Sequence, residues 1–325
     1  MREPEHEGRG RDEIAIDRQL AVVRGIRARA VFVPGNHDWA GGGERGLASV
    51  QRQGEYVKGV ASEALDVVYA PRAGCPGPKA IGVGSTVLLI VLDTEWLLRY
   101  RQAPAGLECA HSSAGEVGRA LESILVDSAG PANRYAIVLA HHPLKTNGPH
   151  GGYFGLTDQL FPLRNLWKPL YIPIPFLYAI GRNSGVSSQD MSSSNNRRVR
   201  NLIEQSLARS DEQPLVYGAG HEHALEVFTG GGSGAKYLLV SGAGSKAMAV
   251  ERGDALFVSG KGKGELGYMR LEFFKDGSVL LSVITDGAAD CSDIETDCFR
   301  PKVRYWRWLS DPLEAGVQLG SPPNS

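Results

Sequence analysis

Three short stretches of this sequence hold residues suited to bind a metal ion together. They read Gly35-Asn36-His37-Asp38, His141-His142 and Gly220-His221-Glu222-His223, and they contain five of the 8 histidines. Neutral imidazole is the commonest nitrogen ligand for transition metals, and an amide oxygen such as that of Asn36 can join it on a hard or borderline ion. His221 and His223 are two positions apart. On an extended segment such residues point the same way, so both rings can face one pocket. A histidine taken singly is usually a hydrogen-bonded structural residue, and His6, His111 and His150 are read that way. The three stretches differ, because each follows an apolar run and each repeats the same chemistry.

The apolar runs are the elements that position these residues. Ala30-Val31-Phe32-Val33 leads into the first stretch, residues 134–140 lead into the second, and Leu215-Val216-Tyr217 precedes the third. Residues 86–92 form a further run that ends at Asp93-Thr94. All are aliphatic or β-branched and continuous rather than alternating, which predicts buried strands. Helical patterns lie between them. Ile16, Leu20 and Val23 recur at helical spacing, residues 115–128 place Val117, Leu121, Ile124 and Leu125 on one side, and residues 195–209 form another. Strands alternating with helices predict an α/β fold. Residues 268–274 and 278–283 predict an antiparallel hairpin across Asp276-Gly277. Open α/β sheets place ligands just beyond the carboxyl ends of their strands, which is where the histidines fall.

Composition narrows the function classes. The chain has 325 residues, 42% hydrophobic and 22% charged, which excludes wholesale disorder. Lysine plus arginine number 35 against 36 acids, a net charge of −1, so no nucleic-acid binding is expected. A single domain over residues 1–325 is expected, with an insertion at about 148–196. Within it, residues 160–180 are apolar, but Pro162, Pro169, Pro173 and Pro175 with Arg164 and Lys168 argue against a transmembrane helix. Cys75, Cys109, Cys291 and Cys298 sit in loop-like segments, allow three pairings and contain no CxxC, which favours disulfides over a zinc knuckle. No signal-peptide pattern opens the chain. Gly242-Ala243-Gly244-Ser245-Lys246 lacks P-loop spacing and reads as a strand-end turn. Asp93 reads as a turn cap, and Arg197, Arg198 and Arg200 as a solvated helix start.

The ordered series Gly-Asn-His-Asp, then His-His-Pro after a strand, then Gly-His-x-His after a later strand resembles the calcineurin-like metallophosphoesterase family, which includes purple acid phosphatases and cyclic-nucleotide phosphodiesterases. The resemblance covers roughly residues 30–224. It implies a layered α/β/β/α sandwich of two mixed sheets. It also implies two metal ions, manganese, iron or zinc, about 3.5–4 Å apart, and a bridging hydroxide that attacks phosphorus in line. By this resemblance Asn36, His141 and His221 ligate the second metal and His223 the first. His37 contacts the phosphate or protonates the leaving oxygen, Asp38 fixes the orientation of the His37 ring, and His142 stands outside the ligand set. The implied substrate is a small-molecule or lipid phosphoester.

The family pattern also opens with Asp-x-His and Gly-Asp ahead of Gly-Asn-His-Asp. Here the early acids Asp12 and Asp17 stand in neither context. Two ligands of the first metal and the bridging carboxylate are therefore not seen, and at most one weakly bound ion is expected on Asn36, His141 and His221. The expectation is an N-terminally shortened version of a complete enzyme, with its first strands missing and an apolar edge and face left uncovered. A periplasmic or extracellular parent is favoured. The alternative is a non-catalytic or single-metal relative with a scaffold role. Residues 147–152 and the proline-rich segment after them are expected to form a lid near the site.

Overall fold

The aliphatic runs form strands and the amphipathic runs form helices, in the alternation that the sequence implies. The structure is a computed structural model. It describes residues 1–3, 6–26, 28–104, 106–128, 135–152, 187–210, 213–259, 264–286 and 301–310. The chain runs through α1 (Arg9–Ile26), β1 (Ala30–Phe32), α2 (Gly43–Val60), β2 (Val67–Tyr69), β3 (Lys79–Val83) and β4 (Val87–Val91). It continues through α3 (Thr94–Arg99), α4 (Ala114–Ser128), β5 (Tyr135–Ala140), α5 (Ser194–Ala208), β6 (Val216–Ala219), β7 (Leu225–Thr229) and β8 (Tyr237–Ser241). It ends with β9 (Phe257–Val258), β10 (Gly267–Phe273), β11 (Val279–Asp286) and β12 (Pro301–Ser310).

Seven strands form a mixed sheet in the order β3-β4-β5-β6-β8-β7-β9. Its centre, β4-β5-β6-β8, is parallel; the β4–β5 and β5–β6 crossovers carry helices, and β6 reaches β8 through β7. Parallel pairing requires such crossovers and buries both faces, which explains the unbroken aliphatic runs. On one face, α3, α4 and α5 supply Trp96, Leu97, Leu121, Leu125, Ile203 and Leu207 to a core with Ile90 and Val138. On the other face lies a three-stranded sheet, β10-β11-β12. Val279, Leu281 and Val283 of β11 bury against Ile137, Val216 and Leu239.

The α/β class and the sheet-on-sheet layering agree with expectation, but only the larger sheet is mixed. The smaller is antiparallel throughout: β10 turns back into β11 across Asp276-Gly277, and β12 pairs antiparallel with β11. The expected hairpin is β10-β11, and β12 adds a third strand that the sequence reading did not find. β1 is half-buried rather than buried and pairs in parallel with β2 in a separate two-stranded sheet. Helices α1 and α2 cover that pair through Ile16, Leu20 and Val57. Among the described residues β1 pairs only with β2, and β10 only with β11. An apolar cavity of about 270 Å³ lies beside these two strands, lined by Val33, Ile137, Leu139, Met269 and Leu271.

Cys75 and Cys109 form a disulfide, which settles one of the three possible pairings. Cys291 and Cys298 lie outside the described residues, as do residues 160–180 and most of the expected insertion. Among the described residues no helix is long and apolar enough to cross a membrane.

Asp93 caps α3 as expected, by accepting a hydrogen bond from the Trp96 amide at 2.9 Å. Its other oxygen accepts from Trp39 Nε1 at 2.9 Å, and both residues are fully buried. This bond ties the turn after β1 to α3. Replacing Trp39 with phenylalanine keeps the apolar volume but leaves the buried carboxylate short of a donor. The expected cost is about 1–3 kcal/mol, read as a lower urea midpoint at unchanged slope.

Candidate metal centre

The three motif stretches meet at the carboxyl ends of β1, β5 and β6. β5 and β6 are paired neighbours with Ala140 opposite Ala219, so His141 and the Gly220-His221 turn emerge side by side. The turn after β1 brings Asn36 to the same point. Gly35 permits this approach, because a Cβ there would stand 2.6 Å from the His141 ring. His141 Nε2 is 3.0 Å from Asn36 Oδ1 and 3.1 Å from His221 Nδ1. Ligands bound at about 2.1 Å and at right angles lie roughly 3 Å apart, so these separations suit donors of one ion. His221 Nε2 is buried and has no partner in good hydrogen-bond geometry, although the Gln189 main chain is close enough to the ring to raise its proton affinity. His221 also has φ 61°, the left-handed region that non-glycine residues rarely occupy.

The ring nitrogens of His141, His142 and His221 lie within 4.8 Å of one another. His142 nevertheless fits poorly as a ligand, because both of its nitrogens are engaged. Gln189 Oε1, beside His142 Nε2, can only accept, so in the neutral ring Nδ1 is the acceptor and takes the Thr94 hydroxyl proton at 2.8 Å, while the Thr94 oxygen accepts the His142 backbone N–H at 3.1 Å. That leaves the His142 proton on Nε2, which donates to Gln189 Oε1 at 2.9 Å. Gln189 Nε2 donates in turn to Glu95 at 3.1 Å, and Arg99 forms an ion pair with Glu95. Asn36, His141 and His221 are therefore the better donor set, with His142 outside it.

The other expected residues fall around this point. His223 is half-buried on the same turn and stands outside the three-imidazole group. Its proton affinity is lowered by burial first, then by Lys246, His150 and His37. His37 is exposed and opens, with Asp38, onto a cleft of about 950 Å³ that Arg52 and Gln53 also line. Asp38 does not take its expected role. One of its oxygens accepts from Gly35 N at 2.7 Å and the other from Gln53 Nε2 at 2.8 Å. It pins the tight turn that carries Asn36 instead of orienting the His37 ring.

Several residues at this centre escaped the sequence reading. His150, read there as structural, packs its ring 4.2 Å from that of His221 and bonds Asp190 at 3.0 Å. Glu222 Oε2 accepts from the His150 amide at 3.0 Å, and the fully buried Glu226 accepts from Thr146 at 2.5 Å and Asn147 at 2.8 Å. Burial, reinforced by Glu222, pushes the Glu226 carboxyl up to about 7 against its two hydrogen bonds. Glu222 and Glu226 thus fasten the loop after β5 from below. Asp190 and Gln189 precede α5 in a stretch that offered no pattern beyond its serines. Arg198 and Arg200 are correspondingly not a solvated helix start. Arg198 bonds the Leu97 carbonyl at 2.8 Å, and Arg200 bonds the Met191 carbonyl at 2.9 Å.

No known family model matches the chain, and no curated protein matches it.

Burial is the first cause that lowers the pKa of His141, His142 and His221 below the ordinary 6.5; neighbouring imidazoles add to it, and for His142 Glu95 opposes it. An unfolded chain takes up protons below that value while these buried rings resist them. Their contribution to stability is therefore complete above about pH 6.5 and lost as the pH falls. Metal-free protein should lose roughly 2 kcal/mol for each buried ring that stays neutral by about pH 5, seen as a falling urea midpoint. His221→Asn should flatten that slope, and an identical slope in the variant would contradict the neutral, buried ring.

Proposed function

We propose that the chain carries a metal-dependent phosphoesterase site of the calcineurin-like kind, with one ion held by Asn36, His141 and His221. The observation that carries this reading is the meeting of those three donors at 3.0 and 3.1 Å around His141 Nε2. The donors are a neutral amide oxygen and imidazole nitrogens, which suit manganese, iron or zinc. A bound ion of this kind supplies a Lewis acid that withdraws charge from a phosphoryl oxygen and makes water a better nucleophile near neutral pH.

The chain's own groups do the remaining work in this proposal. Asn36 and His221 hold their positions because Asp38 pins one turn and paired strands fix the other. His37, exposed on the open cleft, contacts the phosphate or gives a proton to the leaving oxygen. Burial keeps His141 and His221 uncharged, so protons do not compete for them. The substrate is a small-molecule or lipid phosphoester. The Cys75–Cys109 disulfide supports an oxidising compartment outside the cytoplasm.

One observation favours a second reading, a single-metal relative with a binding role. Among the described residues the imidazole group includes no carboxylate, and two-metal catalysis ordinarily uses one as a bridge. A paired measurement separates the readings. Titration calorimetry with manganese or zinc should show one site that is lost in His141→Ala and His221→Ala. Hydrolysis of bis-p-nitrophenyl phosphate and p-nitrophenyl phosphate should then be metal-stimulated. His37→Ala should lower it by about 10²–10⁴-fold while leaving the metal affinity in place. Metal binding without any hydrolysis selects the binding role, and no metal binding at millimolar concentration overturns both.

A further inference from the structure

The ring of His221 packs against two other imidazoles, of which His142 has both ring nitrogens engaged. His142 lies 4.4 Å from it, centroid to centroid, and tilted by 49°. His150 lies at 4.2 Å and 41°. Each of these rings is fixed in turn by buried polar groups. Thr94 and Gln189 fix His142, and Glu95 holds Gln189. Asp190, only 2% exposed, fixes His150, and Glu222 holds the His150 backbone. His221 needs such support, because its φ of 61° leaves the local backbone a poor guide for the ring.

We propose that His142 and His150 are positioning residues that set the plane of the His221 ring by packing on it. The inference rests on the metal-site reading, since it concerns the donor that His221 offers. What matters in it is a flat ring at each position rather than a ring nitrogen. Phenylalanine should therefore replace either residue, and alanine should not. This pattern is the reverse of that expected for a ligand.

The decisive pair is His150→Phe and His150→Ala, because this ring is the less buried of the two. Cobalt(II), whose visible absorption reports bound imidazole, is the probe. His150→Phe should keep cobalt affinity within about threefold of the wild type, and His150→Ala should lose about 10–100-fold, the usual effect of removing an orienting group. His142→Phe should behave like His150→Phe, provided its circular dichroism and melting match the wild type. In the metal-free protein, the His221 ring resonances should stay dispersed in both phenylalanine variants and broaden or collapse in His150→Ala. A phenylalanine variant that loses cobalt as completely as His141→Ala would make that histidine a ligand and overturn the proposal. Full affinity and unchanged resonances in His150→Ala would overturn it as well. If the wild type itself takes up no cobalt, the metal-site reading fails, and the metal-free resonances alone decide the packing role.

Discussion

Imidazoles packed at this density can share a pocket only while they stay uncharged. His141, His142 and His221 place their ring nitrogens within 4.8 Å of one another, and His150 packs on the same group. A proton on any one of them would be desolvated and would repel its neighbours. The surrounding structure enforces neutrality by burial, and it fixes where the remaining protons sit. Thr94 turns its hydroxyl proton towards His142 Nδ1 because the ring's own proton sits on Nε2, where Gln189 Oε1 accepts it. That arrangement leaves His142 without a free lone pair. The division between rings that can bind and rings that can only pack therefore follows from hydrogen-bond direction.

The polar groups that achieve this come from elements far apart in the chain. Glu95 is on α3, Gln189 and Asp190 precede α5, and Glu222 and Glu226 flank the start of β7. All but Gln189 are at most 2% exposed. Buried carboxylates are costly unless their oxygens are satisfied, and here they accept backbone and side-chain donors from the loops around the site. Their ionisable groups serve as fasteners. Asp38 illustrates the same economy, because its carboxylate closes a four-residue turn and leaves the neighbouring His37 ring free on the cleft.

The strands of the parallel centre were legible because burial on both faces leaves unbroken aliphatic runs, as in β4 and β5. The motif residues were legible because they sit at the ends of those runs. β12 was not, since charged residues interrupt Val303, Tyr305, Trp306 and Trp308. β2 was not, because three residues carry too little pattern. The role expected of Asp38 rested on adjacency in sequence, whereas hydrogen bonding follows the geometry of the turn. His150 and Asp190 were missed for a related reason. They lie 40 residues apart near the two ends of the insertion, and their pairing depends on how those ends return to the core. A sequence shows which residues are chemically able, and only the returning chain decides which of them meet.

The neutrality that lets these imidazoles coexist also shapes what the centre can recognise. Asn36, His141 and His221 are all uncharged donors, so a dication held by them alone retains its full charge. Of the nearby carboxylates, Glu95 is paired with Arg99, whereas Asp38 is held by the neutral amides of Gly35 and Gln53. Such a centre is complemented by an anion that approaches from the open side. Under the proposed metal-site reading a phosphoester has the charge to meet such a centre, and His37 stands exposed on a cleft that Asp38, Arg52 and Gln53 also line. Turnover in that reading depends on whether His37 and an activated water reach the same phosphorus.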